Sequence, residues 1–328
     1  MKKNKNKNKN KRSSSTGFND PQKGFDPTSK RIVFALLIVI VAVMIGTYFF
    51  IDYKYGSFTN MFIGETTEAT TEEETETVPV KNVDGKKNVL IAVTSPGESE
   101  IYNIFMVGIN MSDNVTSFVS LPLQTVDAGG KTLKEEFSMG GVTQIEYVLE
   151  RMLDIDFDAY LCATQNGYKF FLTELGKGVQ FDVPQDLQFS TTNYTVSLKA
   201  GKQELSFDTF VKLMLFDEWD GGKDATYTMQ AQLLQTLYEQ YFKPKYITRD
   251  VDKFTYRMTY IKSNISSEDY VNDLDALEYI AATKFKLQVL TPQGNFSGSG
   301  DKEQFTLSKG GIAQINSAFI LAPVEEKE

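Results

Sequence analysis

Three carboxylates, Asp217, Glu218 and Asp220, crowd around Trp219, and a fourth, Asp224, follows shortly after. Carboxylates so spaced can hold Mg²⁺ and act on phosphoryl groups. Lys212, Gln230 and Gln232 could assist from either side, and Thr125 offers a hydroxyl further upstream. Other catalytic types are missing. The chain has no His and a single Cys, Cys162, so Ser-His-Asp and Cys-His arrangements, His-containing zinc sites and an internal disulfide are excluded. What remains is carboxylate, Lys, Arg or hydroxyl chemistry. No cofactor is expected, Mg²⁺ being the ion a catalytic version would need. Each candidate also has a structural explanation. Asp217, Glu218 and Asp220 before Gly221-Gly222 read as a solvated turn, Asp224 as a helix N-cap, and Gln230 and Gln232 as helix surface. Tyr102 and Tyr227 read as core rings before sugar-stacking ones, and Cys162, in the alternating run Phe157–Thr164, as a small buried residue.

These residues need elements to hold them, and the periodicities supply both kinds. Asn88–Thr94, Ile101–Ile109 and Val115–Leu121 are rich in Val, Ile and Phe between turn residues, which predicts strands. Gly140–Leu153 places Ile145, Val148, Leu149 and Met152 on one helical face. Strand Phe157–Thr164, helix Tyr168–Leu175, strand Gly178–Val183 and a short strand near Tyr194–Leu198 follow. Helices are predicted at Ser206–Leu215, Thr226–Phe242, Ser267–Ala282 and Ser308–Phe319, with a strand at Lys284–Leu290. Strands interleaved with helices, without a glycine-rich phosphate loop, predict an α/β fold with a central mixed β-sheet and helices on both faces.

Charge and hydropathy organise the rest. Residues 1–31 hold ten Lys or Arg against Asp20 and Asp26, a net of +8 in a chain of net −9, so the remainder carries −17. That acidity argues against nucleic acid as a partner of the larger portion. Ile32–Ile51 contains no charge, and at ~1.5 Å per residue it is ~30 Å long, enough to cross a hydrocarbon core. The positive flank puts residues 1–31, a basic low-complexity tail, in the cytoplasm and the C-terminal portion outside. Residues 32–51 then form a single-pass anchor in the cell membrane. Residues 52–87 contain the Thr/Glu-rich run Glu65–Glu76, whose carboxylates repel one another and favour an extended linker. Residues 88–322 form one extracytoplasmic domain, and 323–328 a charged tail.

Within that domain, Asn88–Val93, Phe105–Ile109 and Ser117–Pro122 succeed one another as opening strands. Leu133 and Phe137 precede Gly140-Gly141. Gly167-Tyr168 and Leu175-Gly176 lead to Asp182-Val183-Pro184, and Asn264-Ile265-Ser266 and Thr291-Pro292 close the series. This order over about 230 residues resembles the LytR-CpsA-Psr family. The resemblance implies an LCP-like fold and a transferase moving a glycopolymer from a polyprenyl-pyrophosphate carrier to peptidoglycan. Arginines would grip the pyrophosphate, aspartates would hold Mg²⁺, and an apolar cavity would take the lipid.

Carried over residue by residue, the family pattern is depleted here. Its Asp falls opposite Tyr102 and its Thr opposite Asn103. Its Pro-Arg-Asp-Thr reads Pro122, Leu123, Gln124, Thr125. One Arg falls at Leu215, and those of its Arg-rich helix fall at Thr226 or Tyr227 and at Met229 or Gln230. Leucine offers neither charge nor forked donors to a pyrophosphate. The expected protein is therefore a membrane-anchored pseudoenzyme of cell-envelope biogenesis that binds a polyprenyl lipid, an envelope glycan or a partner protein. Two alternatives stand beside it: an active phosphotransferase using Thr125, Asp217, Asp220 or Asp224, and a transmembrane regulator acting through the basic tail.

Overall fold

A computed structural model describes residues 83–190 and 194–320. The basic tail of residues 1–31, the apolar run of 32–51, most of the 52–87 linker and the 323–328 tail lie outside the described residues. Among the described residues no helix is long and apolar enough to cross a membrane.

The described elements are β1 (Lys86–Thr94), β2 (Ile101–Asn110), β3 (Val115–Leu121), α1 (Leu133–Leu153), β4 (Ala159–Thr164), α2 (Gln165–Thr173), β5 (Gly178–Val183), β6 (Leu187–Ser190), β7 (Thr195–Leu198) and β8 (Gly201–Ser206). They continue with α3 (Phe207–Leu213), α4 (Gly222–Tyr241), α5 (Val251–Met258), β9 (Lys262–Ser263), α6 (Ser267–Asn272), α7 (Leu274–Ala282), β10 (Lys286–Leu290), β11 (Gly294–Ser297), β12 (Gln304–Leu307) and α8 (Lys309–Phe319). Six strands form one sheet in the order β10-β3-β2-β1-β4-β9. β2 is antiparallel to β1 and β3, β4 is parallel to β1, and β10 is parallel to β3, so the sheet is mixed.

Strand periodicity splits the core in two. Val93, Phe105, Val107 and Phe118 face one side, where α3, α4 and α7 add Phe210, Leu233 and Ile280. Leu90, Ala92, Ile104 and Met106 face the other, against Leu133, Ile145 and Leu149 of α1 and Ile315 and Phe319 of α8. A strand covered on both faces carries apolar residues at consecutive positions, as β2 does with Ile104 to Ile109. Helices therefore cover both faces, as the sequence predicts.

Three expectations need correction. The helix expected from Gly140 starts at Leu133, because Thr132 and Glu135 form a capping box that supplies the unpaired first-turn donors with acceptors. A kink at Gly141, with φ of 67°, divides it. The helix expected over Ser267–Ala282 breaks at Asp273 into α6 and α7. Finally, β6, β8, α5, β9, β11 and β12 are elements that the sequence reading leaves out. β5 pairs with β8, β6 with β7, and β11 with β12, each as a two-stranded antiparallel ribbon.

Candidate functional site

β2, β3 and α4 converge on a buried polar cluster. Asn103, Ser120 and Gln230 are 3%, 0% and 4% exposed, so each polar atom must find its partner inside the protein. Asn103 Nδ2 donates to the Met214 carbonyl at 3.1 Å, and Asn103 Oδ1 accepts from the Ile104 N–H at 2.7 Å. Gln230 Nε2 donates to the Phe216 carbonyl at 3.2 Å. Ser120 Oγ lies 2.8 Å from Gln230 Oε1 and 3.2 Å from Asn103 Oδ1. One hydroxyl proton serves one acceptor at a time, and Asn103 Oδ1 already has a donor, so the proton belongs with Gln230. The cluster is neutral and closed upon itself. Gln230 thus sits in the interior, not on the helix surface its sequence suggests, because α4 lays this side against β3.

The other sequence candidates scatter around it. Tyr102 is 39% exposed rather than packed in the core. Val93 pairs with Asn103 and Thr94 with Ile101, leaving Tyr102 as the extra residue of a bulge, and bulges re-aim a side chain in this way. Leu123 and Leu215 are half-buried on different sides of the sheet, Leu123 with the α1 cluster and Leu215 with the α3–α4 cluster. Met229 joins Leu215 in that second cluster. Thr125 is fully buried and its hydroxyl donates to the Pro122 carbonyl at 2.6 Å, which locks the turn after β3. Thr226 is buried too, its hydroxyl directed at the Asp217 carbonyl at 3.0 Å.

Asp224 is not the cap of α4. Gly221 occupies that position with φ of 98° and no side-chain cap bond, and Asp224 lies in the first turn. Two consecutive glycines at positive φ, Gly221 and Gly222, let the chain enter the helix without a capping side chain. Asp217, Glu218 and Asp220 are exposed around buried Trp219. Among the described residues no three or more Cys, Asp or Glu side chains converge where a metal could be held. Mg²⁺ is commonly held by one or two carboxylates with waters and substrate phosphates; with the Thr125 and Thr226 hydroxyls committed to backbone carbonyls, the oxygen donors of this segment are the exposed carboxylates Asp217, Glu218, Asp220 and Asp224.

The electrostatics point away from an anion. Tyr227 stacks on Phe296 of β11, with ring centres 6.3 Å apart, and its hydroxyl faces Gln124 Oε1 at 3.5 Å. Its phenol is pushed above its ordinary range by burial first, then by the Glu303 and Asp217 carboxylates. The nearby cation Lys223 lies 4.4 Å over the Phe296 ring and is ion-paired with Glu303. Lys212 is held by Asp208 at 2.5 Å.

Beneath the cluster the chemistry turns apolar. Met214, whose carbonyl holds Asn103, also lines a cavity of about 110 Å³ together with Ile91, Val93, Tyr168, Phe171 and Ile261. A second cavity of about 180 Å³ lies over Lys87 and Val89. Residues 87, 89, 91 and 93 share one face of β1, so that strand floors both cavities over ~20 Å at ~3.3 Å per residue. Leu123 lines neither, and no arginine does. Ser120 is the member of this site that sequence reading missed. Its signal was available: a hydroxyl between Val119 and Leu121, in a strand with no exposed face, requires a buried partner.

The sequence matches the model of the LytR_cpsA_psr family over residues 54–316. No curated protein sequence matches it. Among solved structures, one from Eubacterium siraeum is similar at TM-score 0.63 and 14% identity, over 77% of this chain and 98% of that one. TagV of Bacillus subtilis is similar at TM-score 0.57 and 18% identity, over 72% and 96% of the two chains. TagT bound to LI-WTA is similar at TM-score 0.54 and 17% identity, over 72% and 91%.

Proposed function

The chain belongs to the LytR-CpsA-Psr family, and from that premise we propose that it is a membrane-anchored, extracytoplasmic, non-catalytic member. In this reading it binds a polyprenyl-type lipid during cell-envelope biogenesis without transferring the glycopolymer. One observation carries the proposal: the neutral Asn103–Ser120–Gln230 cluster closes the end of the apolar cavity over Ile91 and Val93, and the nearby cations Lys212 and Lys223 are paired with Asp208 and Glu303. A pyrophosphate brought there would lose its hydration and gain no counter-charge. Removing one pre-organised donor from such a site typically costs about 10²–10³ in rate. Leu123, Leu215, Thr226 and Met229 carry no charge where the family pattern implies arginine. The cavity over Ile91 and Val93 is lined by apolar side chains and suits hydrocarbon, whereas the one over Lys87 and Val89 also presents Asp158, Asp269 and Asp273. That TagT has been solved bound to LI-WTA supports an envelope glycopolymer carrier as the source of that hydrocarbon.

The test compares head groups. The full chain in proteoliposomes is titrated with a polyprenol and with the matching polyprenyl pyrophosphate, and glycopolymer transfer to peptidoglycan is assayed with Mg²⁺ present. The expected result is binding of both within about threefold and no transfer. Tightening of the pyrophosphate by more than about tenfold, about 1.4 kcal/mol, or any Mg²⁺-dependent turnover, would overturn the reading.

A further inference from the structure

Phe170, Tyr256 and Tyr260 make an aromatic patch on the protein surface. Phe170 is 50% and Tyr256 52% exposed. The rings of Phe170 and Tyr260 lie 5.7 Å apart at 32°, those of Tyr256 and Tyr260 5.7 Å apart at 81°, and the two phenol oxygens are 2.8 Å apart. Two segments supply these rings: α2, and the stretch from α5 to β9. The same two segments send Phe171 and Ile261 into the 110 Å³ apolar cavity. They touch at Gly167, where an added Cβ would stand 2.6 Å from the Tyr260 carbonyl oxygen. The patch is therefore the outer surface of the cavity wall.

We infer that this patch is a lip that rests on the lipid bilayer, at which a hydrocarbon chain passes between membrane and cavity. The inference depends on the membrane-anchored reading proposed above. Tyrosine and phenylalanine rings with polar tips favour the headgroup boundary. Local charge does not oppose that approach, since Lys169, Lys253 and Lys262 offset Asp208, Glu174 and Asp252 in a chain whose residues beyond 31 carry −17. Lys169 holds its ammonium 5.9 Å from the Phe170 ring centre and 3.3 Å from Asp208, so its charge is already partnered beside the patch. The tether permits contact. Residues 52–82 separate the uncharged run ending at Ile51 from Val83, and that many residues can reach at most about 100 Å.

The experiment uses the full chain in vesicles of phosphatidylcholine and phosphatidylglycerol brominated along the acyl chains. Trp219 is the only tryptophan, so a Tyr256→Trp reporter is placed in a Trp219→Phe background. Tyr147→Trp serves as the control, since Tyr147 is 51% exposed on α1, which packs on the opposite sheet face. The expected result is a blue shift and loss of most emission for the Tyr256→Trp reporter, with the control unchanged. Unquenched Tyr256→Trp emission in a chain that floats with the vesicles overturns the lip alone. A chain that does not float overturns the anchored reading and the lip with it. Emission that responds to soluble glycan chains and not to bromolipid assigns the patch to a glycan and also overturns the lip. If the Trp219→Phe background fails to fold, Tyr256→Cys carrying a nitroxide asks the same question, because Cys162 is buried and stays unlabelled. Greater accessibility to oxygen than to a water-soluble nickel chelate supports the lip; the reverse refutes it.

Discussion

Ser120→Ala and Gln230→Met test whether the neutral cluster is a single cooperative unit. In Ser120→Ala the amide of Gln230, 4% exposed, loses the donor at 2.8 Å from its Oε1. A buried acceptor left without a partner costs about 1–3 kcal/mol. Asn103 Oδ1 is spared, since it keeps the Ile104 N–H. Gln230→Met is close to volume-conserving, removes the donor to the Phe216 carbonyl, and frees Ser120 to turn to Asn103 Oδ1 at 3.2 Å. Its cost is again ~1–3 kcal/mol, from the orphaned carbonyl. In the double variant there is no amide left for Ser120→Ala to orphan, so the second substitution should cost less than ~0.5 kcal/mol. The coupling is therefore ~1–2 kcal/mol, within the range of groups sharing one network. Urea unfolding followed by Trp219 emission reads it directly, because the Trp219 ring lies 5.2 Å from that of Phe216. Single effects that add within ~0.3 kcal/mol would refute a shared network.

Two further outcomes follow from the same packing. Burial first, then the Glu98 carboxylate, pushes the Cys162 thiol from 9.0 up to about 11 against the pull of Lys262. The thiolate is the disfavoured form, so this contribution is complete below pH 9 and vanishes as pH rises through 11, a loss on the order of 2–3 kcal/mol. The difference in urea-unfolding free energy between the parent chain and Cys162→Ala should change by that amount across the window; a constant difference refutes it. Gly167→Ala would place a methyl group 2.6 Å from the Tyr260 carbonyl oxygen and should destabilise by ~1–3 kcal/mol, so a neutral or stabilising thermal shift would contradict the close contact of α2 with the α5–β9 stretch.

Where apolar period and turn chemistry agree, the fold was readable from sequence. β3 and β5 have the ends predicted for them, and α8 begins one residue after Ser308, which caps it. Sequence periodicity alone shortens α1 because Gly140-Gly141 interrupts its period, although Thr132 and Glu135 stand at capping-box spacing. β6, β8, β11 and β12 are ribbons of four to six residues with exposed positions, and short strands half in water give little signal over their turns. The family pattern falls on α4 and the ends of β2 and β3. Single side chains were not legible: Tyr102, expected in the core, lies exposed at a bulge, and Gln230, expected on the helix surface, is buried by a pairing that only tertiary structure sets.

The contrast with the pattern implied by the family has a physical logic. Arginines near this centre would be useful while a pyrophosphate sits against them; without that anion, a guanidinium held in the interior costs several kcal/mol. Leu123 and Leu215 avoid that cost by joining the two clusters on either side of the sheet, and Asn103, Ser120 and Gln230 fill the polar remainder with groups that satisfy one another. The core depends on none of the missing charges. Val93, Phe105, Phe118, Phe210 and Leu233 bury one face, and Leu90, Met106, Ile145 and Phe319 the other. Hence the scaffold packs without the arginines that the family pattern implies, and the cavity over Ile91 and Val93 keeps its apolar lining.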